Sequence, residues 1–269
     1  MDRPSRSATV EHYKAAMLLS GAGDALGYKN QLWEYNESGP AIHQELQELG
    51  GLKNIKVELP DWPVSDDTVL HLATAEGLAT GKTGEELLHE VAARYVEGMK
   101  DMEGRKPGPS SILGVSQLKP GEEGGYRVPY NPEGTGCGAA MRSMCIGLKY
   151  LDLRGISNGV GPAIWPSAYG PAERDEAYKS FSLSGWAGRS GHDAPMIALD
   201  AMLGAGPDWE ELMSRAAFHG GDSDSTAVIA ACCWGLLYGT KGVPEGNYCN
   251  LEYRDRLERC AEQLYALSQ

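Results

Sequence analysis

The chain has 269 residues, of which 42% are hydrophobic and 23% charged, a composition typical of a globular protein with a sizeable core. Its formal net charge of −13 argues against non-specific binding to nucleic acid or to an anionic membrane. The most apolar run, residues 226–238, is too short to span a bilayer, and the first residues are polar, unlike a secretory leader. The six cysteines have no disulfide or zinc-site spacing, so we expect a reduced, cytoplasmic protein.

Helical periodicity dominates the chain. Residues 69–79 and 226–238 are apolar on nearly every side, which predicts two buried helices. Between them, residues 84–102 predict an amphipathic helix, whose apolar stripe consists of Leu87, Leu88, Val91, Ala92, Tyr95, Val96 and Met99. Residues 55–59 are the best strand candidate, and residues 151–171, rich in glycine and proline, predict a joining loop. The predicted fold class is all-α, with one domain over residues 1–269.

Glycines concentrate in four linkers that precede predicted helices, at residues 20–28, 132–142, 183–195 and 218–226. Such linkers expose backbone N–H groups at helix starts, where anions bind. The stretch GTGCGAAMR (134–142) leads directly into a predicted helix, and several of its N–H groups could point at a phosphate. It lacks the Gly-Lys-Ser/Thr of a Walker loop, and no strand precedes it as in a dinucleotide-binding fold. Tight helix–helix contact is the alternative explanation of its small residues.

Two acidic motifs stand at the starts of the two most apolar helices. They are SDDT (65–68) and GGDSDST (220–226). Either motif alone could be a helix cap. Both offer only oxygen ligands, which suit hard cations such as Mg²⁺ and Ca²⁺. Because carboxylates held close together repel one another unless a cation neutralises them, the pair predicts a two-metal site drawing on both helix starts.

The acidic motif at 220–226 also resembles two other kinds of site. It is not an EF-hand calcium loop. Counted from Asp222, loop positions six and twelve are Ala227 and Cys233, where an EF-hand has glycine and glutamate. The DxDxT pattern from Asp222 also matches phosphatases with an aspartate nucleophile, but there it follows a strand, whereas here a helix is predicted before it. Asp193 is predicted to be the N-cap of the helix that follows it, with Pro195 in the first turn. His192 and Glu34 lie in loops, and composition alone does not mark either of them as a functional residue.

Five motifs together resemble the ADP-ribosylglycohydrolase family over nearly the whole chain, closest to its members that act on ADP-ribosyl-arginine. The motifs are GDALGY (23–28), SDDTVLHLATAEGL (65–78), GCGAAMRSMCIGL (136–148), SGHDAPMIALDA (190–201) and FHGGDSDSTAVIA (218–230). The resemblance implies a compact all-α bundle with a binuclear Mg²⁺ cleft. It also implies a monomer whose partners are arginine-ADP-ribosylated proteins and ADP-ribose.

The resemblance further implies the site residues. The ligands of the two Mg²⁺ ions would be Ser65, Asp66, Asp67, Asp222, Asp224 and Ser225. The substrate would contact Gly136, Cys137, Gly138, Met141, Ser190, Gly191 and His192. The reaction would be hydrolysis of the N-glycosidic bond of ADP-ribosyl-arginine. Asp67 or Asp66 would act as general base, and Glu34 would act on the substrate from a mobile loop.

One departure from the family pattern lies near residue 150. Members of the family carry a further helical block, with a Gly-Arg-Met-Thr-His-x-His-Pro-like stretch, where GLKY (147–150) here runs straight into LDLRGI (151–156). An internal deletion is therefore expected between residues 150 and 151. Loss of helices from a bundle exposes apolar faces on those that remain. The alternative to an active enzyme is thus an inactive ADP-ribose-binding or regulatory form.

Overall fold

A computed structural model describes residues 8–149 and 170–269. These residues form eleven α-helices: α1 (Val10–Tyr28), α2 (Gly39–Glu48), α3 (Asp66–Ala79), α4 (Gly84–Gly98), α5 (Pro109–Ser116), α6 (Met144–Lys149), α7 (Pro171–Phe181), α8 (Asp193–Ala205), α9 (Trp209–Ala216), α10 (Ser223–Tyr238) and α11 (Arg254–Ser268). The described ranges contain isolated β-bridges but no sheet, so the predicted all-α class is confirmed. The expected deletion point and nearly all of the predicted joining loop lie outside the described residues.

Helices α1 and α10 form the centre of the core, and α11 packs on α1 beside them. The close approach of α1 and α10 depends on glycine. A Cβ on Gly27 would lie 2.5 Å from the carbonyl oxygen of Ser223, and one on Gly23 would lie 2.8 Å from that of Ala227. The hydroxyl of Ser223 donates to the carbonyl of Gly27 at 2.9 Å. The C-terminal end of α1 is thereby fixed against the first turn of α10.

The same end of α1 also fixes the start of α3. The carboxylate of Asp24, on α1, accepts hydrogen bonds from the N–H groups of Ser65 and Thr68, each at 3.1 Å, and from the Thr68 hydroxyl. Asp24 is fully buried, so these bonds are not exchanged for water. One helix end therefore brings both acidic motifs to the same place.

Most of the predicted helices are confirmed. Residues 69–79 lie in α3 and residues 226–238 in α10, and both helices are largely buried. Helix α4 also forms as predicted, yet only Ala92 of its apolar stripe is buried, and Leu88 is 46% exposed. The candidate strand at residues 55–59 does not form, although the N–H of Val57 bonds to the carbonyl of Gly246.

All six cysteines are free thiols in the structure. In the described parts of the chain, no helix is both long enough and apolar enough to cross a membrane.

Candidate metal and substrate site

The SDDT motif starts α3 in the manner of a capped helix. Ser65 is the N-cap, and its hydroxyl accepts a hydrogen bond from the N–H of Asp67 at 3.1 Å. The cap leaves both carboxylates of the first turn for other contacts. That of Asp67 accepts a hydrogen bond from the hydroxyl of Ser225 at 2.8 Å, and that of Asp66 accepts none from any described residue. Both aspartates are nevertheless buried, with relative exposures of 3% and 6%.

The GGDSDST motif starts α10 differently. Asp222 occupies the N-cap position, but its side chain caps no N–H group. Its carboxylate instead accepts from the hydroxyl of Tyr35 at 3.0 Å and lies 3.6 Å from the thiol of Cys137. Asp224, in the first turn, accepts from the N–H of Ser225 at 2.9 Å. The helix-cap interpretation therefore explains Ser65 but not Asp222.

A loop between α1 and α2 brings Glu34 to these two motifs. The loop is tied to Gly221 by two backbone bonds, from the N–H of Tyr35 to Gly221 at 2.6 Å and from Gly221 to Asn36 at 3.0 Å. Gly221 has φ +140°, and a Cβ there would lie 2.3 Å from the carbonyl oxygen of Ala187, so only glycine fits. The same element that starts α10 thus holds the Glu34 loop in place.

Glu34 has an unsatisfied acceptor at this position. Its side chain is 8% exposed, and its Oε2 accepts no hydrogen bond from the described residues. The ammonium of Lys106 is 3.4 Å away, an ion pair without hydrogen-bond geometry. One carboxylate oxygen each from Glu34, Asp222 and Asp224 lies within 4.8 Å of the others. We refer to Glu34, Asp66, Asp67, Asp222 and Asp224 as the acidic cluster.

Burial and mutual repulsion make this cluster costly to ionise. Burial, followed by the charge of Asp222, raises the pKa of Glu34 to about 7. Burial, followed by the charge of Asp24, raises the pKa of Asp66 to about 8. The pKa values of Asp67 and Asp224 are raised well above their usual range, again first by burial and then by neighbouring carboxylates. A bound divalent cation would remove this cost.

The residues fit hard divalent cations. Carboxylate and hydroxyl oxygens are the ligands that Mg²⁺ and Ca²⁺ prefer, and an unsatisfied buried oxygen such as Oε2 of Glu34 is suited to one. The thiol of Cys137 lies 3.2 Å from the hydroxyl of Ser225. Burial raises the pKa of this thiol well above its usual value, which disfavours the thiolate form that a soft metal ion would bind.

The members of the acidic cluster other than Asp224 line one part of a cavity of about 1120 Å³, larger than most small-molecule sites. Its lining includes an apolar wall from α4, α5 and α6, with Leu87, Leu88, Val91, Val115 and Ile146. The uncovered stripe of α4 is part of this wall. Its lining also includes three cations, Lys106, Arg142 and Arg189, which the sequence did not single out.

The predicted substrate residues fall into two groups. Those of the first glycine-rich stretch line the cavity: Gly136, Cys137, Gly138 and Met141. Those of the second stretch do not line it: Ser190 is buried, and Gly191 and His192 are exposed to solvent. The two stretches pair through their backbones, because the N–H of Gly191 bonds to Thr135 and that of Cys137 bonds to Arg189. Among the predicted ligands, Ser65 and Asp224 do not line the cavity, and the hydroxyl of Ser65 serves as the α3 cap.

Two local predictions in these stretches were wrong. Residues 134–142 do not lead directly into a helix, because a 3₁₀ turn at Cys137–Ala139 comes first and α6 begins only at Met144. Asp193 does not cap α8. Its carboxylate accepts from the N–H groups of Leu183 and Ser190, which holds the 183–190 loop closed.

Sequence reasoning also missed the acids that hold the site from outside. Asp24 orients the start of α3, and Asp175, on α7, accepts from the N–H groups of Gly39 and Gly220. Asp24 had a detectable signal, as a lone carboxylate within the apolar run of α1. Asp175 had none, because it lies in a polar helix with several other charges.

The phosphatase alternative loses its structural basis. The residues before GGDSDST form α9 and a short connection, and no parallel sheet exists among the described residues. An aspartate nucleophile at the end of a buried strand is therefore not what the fold provides at Asp222.

Comparison with known proteins identifies the family. The family model of the ADP-ribosylglycohydrolases matches residues 5–164 and 156–269. ADP-ribosylhydrolase ARH1 of Dictyostelium discoideum is 31% identical, with 94% of this chain and 93% of the relative covered. That alignment runs over 369 positions, 100 more than the 269 residues of this chain, so the relative contains residues with no counterpart here. A solved structure named ADP-ribosylglycohydrolase-related protein complex shares the fold, with a TM-score of 0.64 at 18% identity over 97% of this chain and 99% of its own.

The family model covers nearly all of the sequence in two consecutive stretches, and a relative of more than 30% identity spans it as well. The chain belongs to the ADP-ribosylglycohydrolase family, whose reaction is the hydrolysis of ADP-ribosyl bonds.

Proposed function

We propose that the chain hydrolyses the N-glycosidic bond between ADP-ribose and arginine side chains of proteins, with two Mg²⁺ ions as cofactors. The observation that carries the proposal is the approach of Glu34, Asp222 and Asp224 within 4.8 Å at a cavity of substrate size. Similarity to ADP-ribosylhydrolase ARH1 supports the ADP-ribosyl part. The arginine linkage rests on the resemblance of the five motifs.

The two cations would be held by the first turns of α3 and α10. The proposed ligands are Ser65, Asp66, Asp67, Asp222, Asp224 and Ser225. When bound, Mg²⁺ supplies Lewis-acid polarisation and lowers the pKa of water. Ser65 would serve through the lone pair of its hydroxyl that the α3 cap leaves available.

The chain's own residues would move the proton. Asp67 binds Ser225 through Oδ2, so its Oδ1 is available to accept a proton from the attacking water. Asp66, which accepts no hydrogen bond from a described residue, is the alternative base. The water oxygen bonds to C1″ of the ribose as the bond from C1″ to the guanidinium nitrogen breaks. The electron pair leaves with the guanidine. The negative charge of Glu34 would stabilise the oxocarbenium-like transition state.

The rest of the cavity would hold the diphosphate and the adenosine. Lys106, Arg142 and Arg189 add three positive charges to the lining, and phosphate oxygens would bind such groups. The guanidinium of Arg142 is fixed by bonds to the Gly138 carbonyl and the Ser111 hydroxyl and lies 5.2 Å from the ring centroid of Tyr95. A fixed guanidinium loses little freedom on binding phosphate, which favours this role.

The test is release of ADP-ribose from an arginine-ADP-ribosylated peptide by the full chain. The assay is run with Mg²⁺ and with EDTA, next to a serine-linked peptide, on protein shown to be folded by circular dichroism. Release from the arginine peptide that requires Mg²⁺ is the expected result. Equal release in EDTA would remove the cations from the mechanism, and preference for the serine peptide would overturn the linkage.

A matched pair of variants tests the general base. Asp67→Asn keeps the size of the side chain and removes the proton acceptor, so turnover should fall by at least about 100-fold. Asp255→Asn, at an exposed position of α11, is the control and should keep full turnover. Unchanged turnover in Asp67→Asn would assign the proton to another group.

A second candidate is an inactive form that binds ADP-ribose without cleaving it. The observation that favours it is the uncovered apolar wall of α4 and α5, together with the 100 extra positions in the alignment with the relative. Saturable binding of ADP-ribose by folded protein, with no release from either peptide in Mg²⁺, would select this candidate over the enzyme.

A further inference from the structure

A second cavity, separate from the acidic cluster, lies between the end of α3, the middle of α4 and the helix α11. Its volume is about 390 Å³, and it shares no lining residue with the larger cavity. Three of its lining residues are arginines, Arg94, Arg256 and Arg259, and one is an acid, Glu76. We refer to it as the arginine pocket.

The three arginines surround one cavity. Together with Glu76 they line it beside Cys260, which is 2% exposed. Burial raises the pKa of its thiol to about 12, so it adds no negative charge. The lining therefore has three positive charges and one negative charge, in a protein whose net charge is −13.

Most hydrogen-bond donors of these arginines have no protein acceptor. Arg256 donates only its Nε, to Glu76 at 2.9 Å, and Arg94 donates only its Nε, to Glu90 at 2.8 Å. Arg259 has no ion pair or hydrogen bond with any described residue. The terminal nitrogens of all three guanidinium groups thus donate no hydrogen bond to a described residue, and only one of them, on Arg94, has an ion pair, with Glu76 at 3.7 Å.

Two of the three arginine side chains in the pocket are positioned by contacts with the protein. Arg256 is held between Glu76 and the ring of Tyr253, whose centroid lies 4.9 Å from its Cζ. Arg94 is held by Glu90, with Glu76 at 3.7 Å from its other side. Because these side chains are held before a ligand arrives, binding an anion would cost little further ordering.

We propose that the arginine pocket binds the phosphate groups of a small phosphate-bearing ligand. Planar guanidinium forks match the oxygens of a phosphate and bind them in pairs. Nucleic acid is disfavoured by the net charge, and a recessed cavity of this volume suits a small ligand. The site is independent of the reaction proposed for the acidic cluster.

The test is calorimetric titration of the full chain with inorganic phosphate, pyrophosphate and AMP, in EDTA at low ionic strength. We expect saturable binding that weakens as salt is added. The compound that binds most tightly indicates whether the ligand is free phosphate, a diphosphate or a nucleotide. Absence of saturable binding in every arm would overturn the proposal.

Two variants on the same helix assign the binding to this pocket. Arg259→Gln removes the uncompensated guanidinium from an exposed position without breaking a protein contact, and should weaken binding at least about tenfold with an unchanged melting temperature. Arg254→Gln, which breaks only a pair with Glu258 outside the pocket, should leave binding unchanged. Equal binding by wild type and Arg259→Gln would place the phosphate elsewhere and overturn the proposal.

Discussion

Two sets of buried carboxylates meet at this site and differ in how they are satisfied. The anchor carboxylates, Asp24, Asp175 and Asp193, each accept two or more hydrogen bonds from backbone N–H groups. The acidic cluster receives few hydrogen bonds: Asp66 accepts none from the described residues, and Glu34 keeps an unsatisfied oxygen. The side chains of both sets are largely removed from water, with Glu34 the most exposed at 8%. Hydrogen bonding, rather than burial, separates the acids that build the site from those available to a ligand.

The difference has an energetic consequence. Removing an anchor carboxylate leaves buried N–H groups without an acceptor, which destabilises the fold. Removing a cluster carboxylate relieves repulsion, which stabilises the fold without a cation but weakens its binding to one. Removing a carboxylate should therefore change the free energy of unfolding in opposite directions in the two sets, and four measurements test this contrast.

The largest effect is expected at Asp24. Asp24→Ala would leave two N–H groups and one hydroxyl of α3 without an acceptor, and should lower the free energy of unfolding by about 4 kcal/mol. Urea unfolding measures this loss. Asp61→Ala, at an exposed position, is the control and should change stability by less than about 0.5 kcal/mol. A loss at Asp24 no larger than the control would show that its hydrogen bonds do not hold α3.

The second-largest effect is expected in the pH dependence of the stability of the cation-free protein. The pKa of Asp66 is raised from its usual value to about 8, so the folded state keeps a proton that the unfolded state has lost. Stability in EDTA should therefore fall as pH rises, by about 2 kcal/mol between pH 6.5 and 8 for this group alone. Saturating Mg²⁺ should remove the decline.

This measurement needs a pH window above 6.5. Burial lowers the pKa of His71 to about 4, so His71 favours the folded state increasingly from pH 4 to about 6.5 and opposes the cluster there. Above pH 6.5 this opposing contribution declines, because the imidazole is increasingly neutral in the unfolded state as well, and the carboxylates then dominate the slope. Thermal unfolding in EDTA that is flat or rising between pH 6.5 and 8 would contradict the repulsion assigned to the cluster.

A smaller effect of opposite sign is expected at Asp224. Asp224→Asn removes one charge from the cluster and should raise the stability of the cation-free protein by about 1 kcal/mol, because neighbouring carboxylates then repel less. The same variant should lose the rise in melting temperature on adding Mg²⁺. If it unfolds more easily than wild type in EDTA, Asp224 belongs with the anchors.

The smallest effect is expected at Lys106, whose ammonium pairs with the unsatisfied oxygen of Glu34. Lys106→Gln removes a positive charge from the place where a cation would bind, so Mg²⁺ affinity should rise by about two- to fivefold. Calorimetry with Mg²⁺ measures the change. Lys100→Gln, which affects only an exposed pair with Glu97, is the control. Weaker binding in Lys106→Gln would show that Lys106 orders Glu34 for the cation.

Much of the site could be predicted from local sequence. The apolar runs of α3 and α10 identified two buried helices, and the acidic motifs before them marked their starts, because capping and hydrophobic periodicity are properties of neighbouring residues. Glu34 was recognised only through the family resemblance. Its loop has no periodicity or motif of its own and takes its position from Gly221, far along the chain.

The chain by itself determined the helices, the oxygen-rich chemistry of the two motifs and the excess of negative charge. Tertiary structure decided which acids are anchors and which form the cluster, because that depends on N–H groups donated across long sequence separations, such as Gly220 to Asp175. It also decided that Lys106, Arg142 and Arg189 line the cavity while Ser190, Gly191 and His192 do not. Which side of a loop faces a cavity is set by the packing of neighbouring elements, and no local pattern encodes it.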